Sequence, residues 1–138
     1  MKRQILTLVG VLSLLLAAGS AYAQTIHVKA DVPFGFIADK ASLAPGQYTL
    51  QTVGSDRVVL IRSADNQPVA MVISNAVRTA EPSEKTKLVF RRYGDRYFLS
   101  QIWVADENSG HQLRKGEREA EMARGARSHA EVVAELSN

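Results

Sequence analysis

Cysteine is absent from the 138-residue chain. The protein therefore has no disulfide bonds, and its stability after export must come from packing alone. The same absence argues against a lipoprotein, because the lipid of such proteins is carried on a cysteine at the cleavage site.

The chain also lacks an apolar run long enough to span a membrane. Its longest, residues 5–18, has 14 residues, whereas a spanning helix needs about 20. Lys2 and Arg3 precede this run and Ala21-Tyr22-Ala23 follows it, which is the layout of a secretory signal. We therefore predict a signal peptide over residues 1–23, with an uncleaved anchor as the weaker alternative. The mature chain is then periplasmic or secreted, without a transmembrane segment.

An excess of one charge is missing once the signal is removed. The whole chain has 17 basic and 14 acidic residues, but Lys2 and Arg3 leave with the signal. The mature chain is close to neutral, whereas a nucleic-acid partner favours a standing excess of Lys and Arg on one face. We expect no nucleic-acid partner; the sequence leaves the partner unknown, with an envelope component or another protein as the candidates.

Motifs for catalysis are also lacking. His27, His111 and His129 lie at no metal-ligand spacing. Ser55 and Ser63 stand in turn contexts without the G-x-S-x-G elbow that exposes a nucleophile, and no glycine-rich phosphate loop occurs. We predict a non-enzymatic protein with no catalytic, metal-binding or cofactor-binding residues and no cofactor.

What the chain does contain is strand patterns in close succession. Residues 25–37 alternate between apolar and polar side chains, which is typical of a half-buried strand. Pro33 lacks an N–H, so this strand lies at a sheet edge or breaks there. In "LAPGQYTL", Pro45 and Gly46 suit the centre of a type II turn, with a further strand after it.

Two β-branched runs, "RVVLIR" and "PVAMVI", predict a hairpin that is buried on both faces or nearly so. The polar residues 74–86 that follow predict a surface loop. Counting two later strands, about six occur without intervening helices. This favours an all-β fold, an antiparallel β-sandwich or small barrel, over residues 24–110. Residues 111–138 trade β-branched residues for Glu, Arg and Ala, so we expect a helical C-terminal tail there.

The most chemically loaded stretch is "FRRYGDRYF", residues 90–98. Glycine as the first central residue of a two-residue loop is typical of a type II′ hairpin turn. The resulting register sets each arginine opposite an aromatic ring: Arg91 opposite Phe98, Arg92 opposite Tyr97 and Arg96 opposite Tyr93. It also predicts one buried face, formed by Leu88, Phe90, Leu99 and Trp103, with Lys87, Arg91 and Ser100 on the other.

The turn accounts for this composition, since cross-strand and cation–π contacts stabilise a hairpin. A functional alternative stays open, because arginines and aromatics on a sheet also grip single-stranded nucleic acids or acidic glycans. The candidate binding surface consists of five residues: Arg91, Arg92, Tyr93, Arg96 and Tyr97.

Three segments, "VPFGFIADKASLAPGQYTL", "LVFRRYGDRYFLSQIW" and "RKGEREAEMAR", resemble a group of small, exported, uncharacterised proteins of environmental Gram-negative bacteria. That group shares V-P-F-x-F, L-P-A-G-x-Y and R-Y-G-[DN]-x-Y-F-L motifs. The chain departs from it at Ala44-Pro45, where the commoner order places Pro before Ala. The resemblance implies export and a β-fold, and it implies no activity and no site residues.

These observations favour an exported, non-enzymatic β-domain that acts as a binding or envelope-associated module. Two alternatives remain. A carrier of a small apolar ligand would need an open apolar cavity, although six short strands make a barrel that its own side chains fill. An envelope hydrolase would need carboxylates or histidines gathered near a cleft.

The signal pattern predicts that the mature chain begins at Gln24, because small residues stand at positions 21 and 23. N-terminal sequencing of the exported protein checks this. A product that starts at Met1 would show that the apolar segment is retained.

Overall fold

A computed structural model describes residues 26–54, 57–126 and 128–136 of the chain. The predicted signal peptide lies outside the described residues. Within them the chain forms ten strands and one short helix, so the structure is mostly β. The elements in chain order are β1 (His27–Val32), β2 (Phe36–Ala38), β3 (Ala41–Leu43), β4 (Gly46–Val53), β5 (Val58–Ser63), β6 (Pro68–Arg78), β7 (Lys87–Tyr93), β8 (Arg96–Trp103), β9 (Ser109–Leu113), α1 (Glu117–Gly125) and β10 (Ala130–Glu135).

The strands form one open, mixed sheet. Its main path runs β1-β4-β5-β6-β9-β8-β2-β3, and β7 joins β8 to β10. Nearly all pairs are antiparallel, but β2 lies parallel to β8 at Ile37 and Phe98. The expectation of about six antiparallel strands therefore misses four strands and the parallel contact. The strands β2 and β3 have three residues each, which is too few for a periodic pattern to reveal them.

The long strand β6 joins two parts of the sheet. Its first half pairs with β5 and its second half, from Ser74, pairs with β9. Residues 74–78 are therefore strand, where the sequence analysis expects loop. The predicted β5–β6 hairpin is present. In β5 the three successive residues Val59, Leu60 and Ile61 are all buried, but in β6 Met71 is 64% exposed and Ile73 is 53% exposed. The prediction of burial on both faces therefore holds for β5 and not for β6.

The first strand behaves as its proline predicts. β1 ends at Val32, next to Pro33, and pairs with β4 alone among the described strands. The predicted type II turn at Pro45-Gly46 is wrong, because Gly46 already begins β4 with φ of 158° rather than the roughly +80° of that turn.

The main core lies between the inward faces of the two parts of the sheet. Every second residue of β1 enters it, and Leu50, Ile61, Leu88 and Phe90 are each at most 1% exposed. A fully buried side chain of this size contributes about 1.5 to 3 kcal/mol relative to an exposed one. The core therefore replaces the disulfides that the chain lacks.

The predicted hairpin register is confirmed around the turn. Arg91 lies opposite Phe98, Arg92 opposite Tyr97, and Tyr93 opposite Arg96. Gly94 has φ of +62°, and Asp95 is not among the residues with positive φ. A positive φ at the first central residue alone is the conformation of a type II′ turn.

Farther from the turn the register shifts by one residue. Phe90 pairs with Leu99 but Val89 pairs with Gln101, so Ser100 has no opposite residue in β7. Such a β-bulge reverses the alternation of side chains beyond it. Ile102 therefore joins the core, 0% exposed, and Trp103 turns to the other face, which corrects its predicted place beside Leu99.

The C-terminal region contains more than the expected helix. β9 crosses the predicted domain boundary at residue 110, and only Glu117–Gly125 is helical. Ala130, Val133 and Ala134, which fall within the predicted helical tail, lie in β10 instead. β10 pairs with β7 over six residues, which satisfies the backbone groups that β7 would otherwise leave unpaired at an edge.

Replacing Gly94 with valine is expected to lower the free energy of unfolding by about 1 to 3 kcal/mol, because a β-branched residue is strained at positive φ. Urea denaturation measures the change. Gly35→Ala is the control, since a Cβ there makes ordinary contacts, at 3.5 Å from the Leu43 carbonyl oxygen and 4.0 Å from Cδ of Pro45. Equal midpoints for the Gly94→Val variant and the native chain would contradict this account of the turn.

Candidate functional site

The first of the five candidate residues on the hairpin, Arg91, binds the helix. Its Nε donates to Oε1 of Glu119 at 2.8 Å, and its Nη2 donates to Oε2 at 3.3 Å. The two side chains are 17% and 4% exposed. A two-point contact of this kind fixes both the position and the rotation of α1 over the hairpin. Arg91 is thus opposite Phe98, as predicted, but its charge serves Glu119.

The two tyrosines of the candidate surface are engaged in packing. Tyr93 is 3% exposed and meets Phe98 edge-on, at 5.7 Å between ring centroids. This pair and Ile37 form a second small core under Met122, Ala123 and Ala126. Tyr97 stacks on Phe34 with ring centroids 4.0 Å apart. Neither ring is presented as a free stacking platform.

The remaining two candidates, Arg92 and Arg96, are exposed. They do not share a face, because Arg92 is paired with Tyr97 and Arg96 with Tyr93, and successive positions of a strand point to opposite sides. The structure therefore divides the five residues between two faces of the hairpin. The face under α1 holds Arg91, Tyr93 and Arg96, and the other holds Arg92 and Tyr97.

A concave site lies on the outward face of β10, β7 and β8, in the part of that face that α1 does not cover. We call it the Trp103 groove, and it encloses about 660 Å³. Its floor consists of Val89, Trp103 and Val133, with Gln101 between them; Val133 is 49% exposed. The remaining lining residues are Thr79, Glu81, Pro82, Ser83, Glu84, Lys85, Lys87, Glu131 and Glu135.

Trp103 is held firmly in this floor. Its Nε1 donates to Oε1 of Gln101 at 3.0 Å, and its ring lies against the backbone of Gly110. A Cβ on Gly110 would stand 2.6 Å from Cε3 of the ring, so only glycine fits there. The ring is 8% exposed, and its orientation follows from the bulge at Ser100.

The wall of the Trp103 groove is a loop, residues 79–86, that backbone hydrogen bonds tie to the β8–β9 turn. Thr79 N–H donates to the Asn108 carbonyl at 2.9 Å, and Asp106 N–H donates to the Ser83 carbonyl at 2.8 Å. At its end, the Thr86 hydroxyl accepts a hydrogen bond from the Ala105 N–H at 3.0 Å. The wall is therefore a formed part of the fold.

Acidic groups predominate around the Trp103 groove. Four glutamates line it, namely Glu81, Glu84, Glu131 and Glu135, against two lysines, Lys85 and Lys87. Lys85 is 3.5 Å from Glu135, in an exposed pair that contributes little to stability. The groove thus combines an apolar floor with a net negative rim.

A second concave site, about 600 Å³, borders β1; we call it the β1 groove. Its lining is mostly polar, with His27, Lys29 and Asp31 from β1 and Arg62 from β5. Tyr48 also lines it, and burial raises the pKa of this tyrosine above its ordinary value. The protonated hydroxyl donates to the Ala44 carbonyl at 2.5 Å. The other lining residues are Ala30, Gln47, Thr49, Gln51, Ser63, Ala64, Asn66, Glu135 and Leu136.

The fold also brings together a serine and a histidine that the sequence analysis does not link. Ser74 Oγ lies 3.2 Å from Nδ1 of His111, across the β6–β9 pair. Ser74 is 0% exposed, and its hydroxyl also lies 3.4 Å from the Arg57 carbonyl. In this conformation no substrate reaches the hydroxyl, so the contact serves to satisfy buried polar groups.

The described ranges contain neither a metal-binding cluster nor a membrane-spanning helix. No group of three or more His, Cys, Asp or Glu side chains there is placed to hold a metal ion. The helix in these ranges is too short and too polar to cross a membrane, and no other candidate span occurs in them.

No family model, curated protein or solved structure matches the chain.

Arg91→Gln is expected to lower the free energy of unfolding by about 2 to 4 kcal/mol, because it leaves the Glu119 carboxylate buried without its countercharge. Arg96→Gln, which removes an exposed arginine of the same hairpin, should change it by less than about 0.5 kcal/mol. Urea denaturation of the two variants compares them. Equal losses would show that the ion pair does not hold the helix.

Proposed function

We propose that this chain is an exported, non-enzymatic binding domain of the cell envelope, and that the Trp103 groove holds its partner. The main support for this proposal is that an apolar floor and an acidic rim lie together on a sheet face that α1 leaves uncovered. The helix α1 covers only the part of this face nearest the turn, where it contacts Tyr93 and Phe98. The part that contains the Trp103 groove lies outside the helix.

The chemistry of the groove favours a basic, extended peptide segment. Apolar side chains of such a segment bury area against Val133, the exposed apolar residue of the floor, while its Lys or Arg side chains meet the rim glutamates. The indole of Trp103 also favours a basic segment, because a cation near the ring is attracted by its π system. A strand-like segment also suits the geometry, since its alternate side chains face the floor and the rim.

The two rival functions receive less support from the described residues. A carrier of an apolar ligand favours a mostly apolar cavity, whereas both concave sites are lined mainly by polar side chains. A hydrolase built on Ser74 needs an exposed hydroxyl, and that hydroxyl is enclosed.

Trp103 is the chain's single tryptophan, so its fluorescence reports on the groove alone. Adding a short, end-blocked peptide of alternating Lys and Val is expected to change the emission intensity, because its cationic side chains come close to the indole. A peptide of alternating Glu and Val of the same length should have no effect. Salt should weaken the response to the Lys peptide, because rim charges are screened.

Glu84→Gln with Glu131→Gln is expected to weaken binding of the Lys peptide by about tenfold, since each lost rim contact costs up to about 1 kcal/mol. Glu121→Gln, an exposed change on α1 outside the groove, is the matched control. An equal response to the Lys and Glu peptides, or no response to either, would overturn the proposal.

A further inference from the structure

The edge of β1 is open in the part of the chain that the structure describes. β1 pairs with β4 on one side, and its other side carries no strand there. Thr52 N–H donates to the Ile26 carbonyl, so backbone groups of even-numbered residues point toward β4. Because an antiparallel ladder alternates, those of His27, Lys29 and Asp31 point outward from the sheet, ready to pair.

The same three residues carry the exposed side chains of β1. Lys29 and Asp31 lie two positions apart, hence on one face, and neither makes an ion pair or a side-chain hydrogen bond with another described residue. Charged side chains on an edge strand, lysine above all, usually oppose pairing with another strand. They do so where like charges face each other, whereas opposite charges that face each other across a strand pair stabilise it. Here the two charges are opposite and unpaired.

We propose that β1 pairs with β1 of a second copy, antiparallel, about a twofold axis at Ala30. In that register Lys29 of one protomer faces Asp31 of the other, and the symmetry repeats this pair. Both residues have outward-pointing N–H and C=O groups, so each pair is also a hydrogen-bonded one. This interface goes beyond the binding proposed for the Trp103 groove.

The charges select this register over its neighbour. An axis at Lys29 would bring the two lysines face to face, which is unfavourable. With the axis at Ala30, Val28 lies opposite Val32 on the core side, and His27 lies opposite Pro33, which ends the ladder because proline has no N–H. In "HVKADV", Lys29 and Asp31 flank Ala30, so the strand is complementary in charge to an antiparallel copy of itself. This favours a second copy over an unrelated strand.

The β1 groove borders this strand but extends mainly over its paired side. It is lined by four residues of β1 and by residues of β4, β5 and the turn after β5, so it leaves the free edge of β1 uncovered. Glu135 and Leu136, at the end of β10, form its far wall. Pairing of two β1 strands would extend the β4–β1 part of the sheet across the dimer.

Charge reversal tests the register directly. In sedimentation velocity the exported protein is expected to dimerise, whereas Lys29→Asp and Asp31→Lys should each weaken self-association by at least about tenfold, because like charges then face each other twice. Mixing the two variants should restore the dimer as a heterodimer, since Asp and Lys again face each other at both sites.

Lys40→Asp is the control, since it makes the same change of charge at an exposed position away from β1, and it should dimerise as the native chain does. Circular dichroism checks that each variant folds. Where a reversal prevents folding, Lys29→Gln with Asp31→Asn replaces it and should also weaken the dimer. A monomeric native chain, or reversed variants that dimerise normally and gain nothing from mixing, would overturn the proposal.

Discussion

The register of the β7–β8 pair is the constraint on which the remaining structure depends. Gly94 closes the turn at a positive φ. The β-bulge at Ser100, which has no opposite residue in β7, reverses the alternation of side chains farther along. These two features decide which residues face the core and which face outward. β8 also pairs with β2 and β9, and β7 pairs with β10, so an error in this register would displace most of the sheet.

Each half of the hairpin carries a different surface as a result. Near the turn, Arg91 receives α1 through Glu119, and Tyr93 and Phe98 are buried under it. Beyond the bulge, Trp103 lies outward on Gly110 and becomes the floor of a groove. The helix and the groove thus divide one sheet face, and the charge of the hairpin arginine is used for stability.

The hairpin register and the strand-rich class were predictable from sequence, because both depend on local signals. Gly94-Asp95 selects its turn by backbone conformation, and the alternation of residues 26–32 reflects burial of one face. The bulge was not predictable, since Ser100 differs little from an ordinary strand residue. Its position depends on which of Ile102 and Trp103 fits the core across from Leu88.

The sequence by itself determined the absence of disulfides and the near balance of charge over residues 24–138, because both follow from composition. It also determined the break at Pro33 and the turn at Gly94, because each is a property of a few adjacent residues. Tertiary structure alone decided that Glu119 meets Arg91, that Ser74 meets His111, and that glutamates from the 79–86 loop and β10 share one rim. Those contacts join residues far apart in the chain, and their partners are selected by how strands of similar pattern order themselves in the sheet. Local periodicity carries no information about that order.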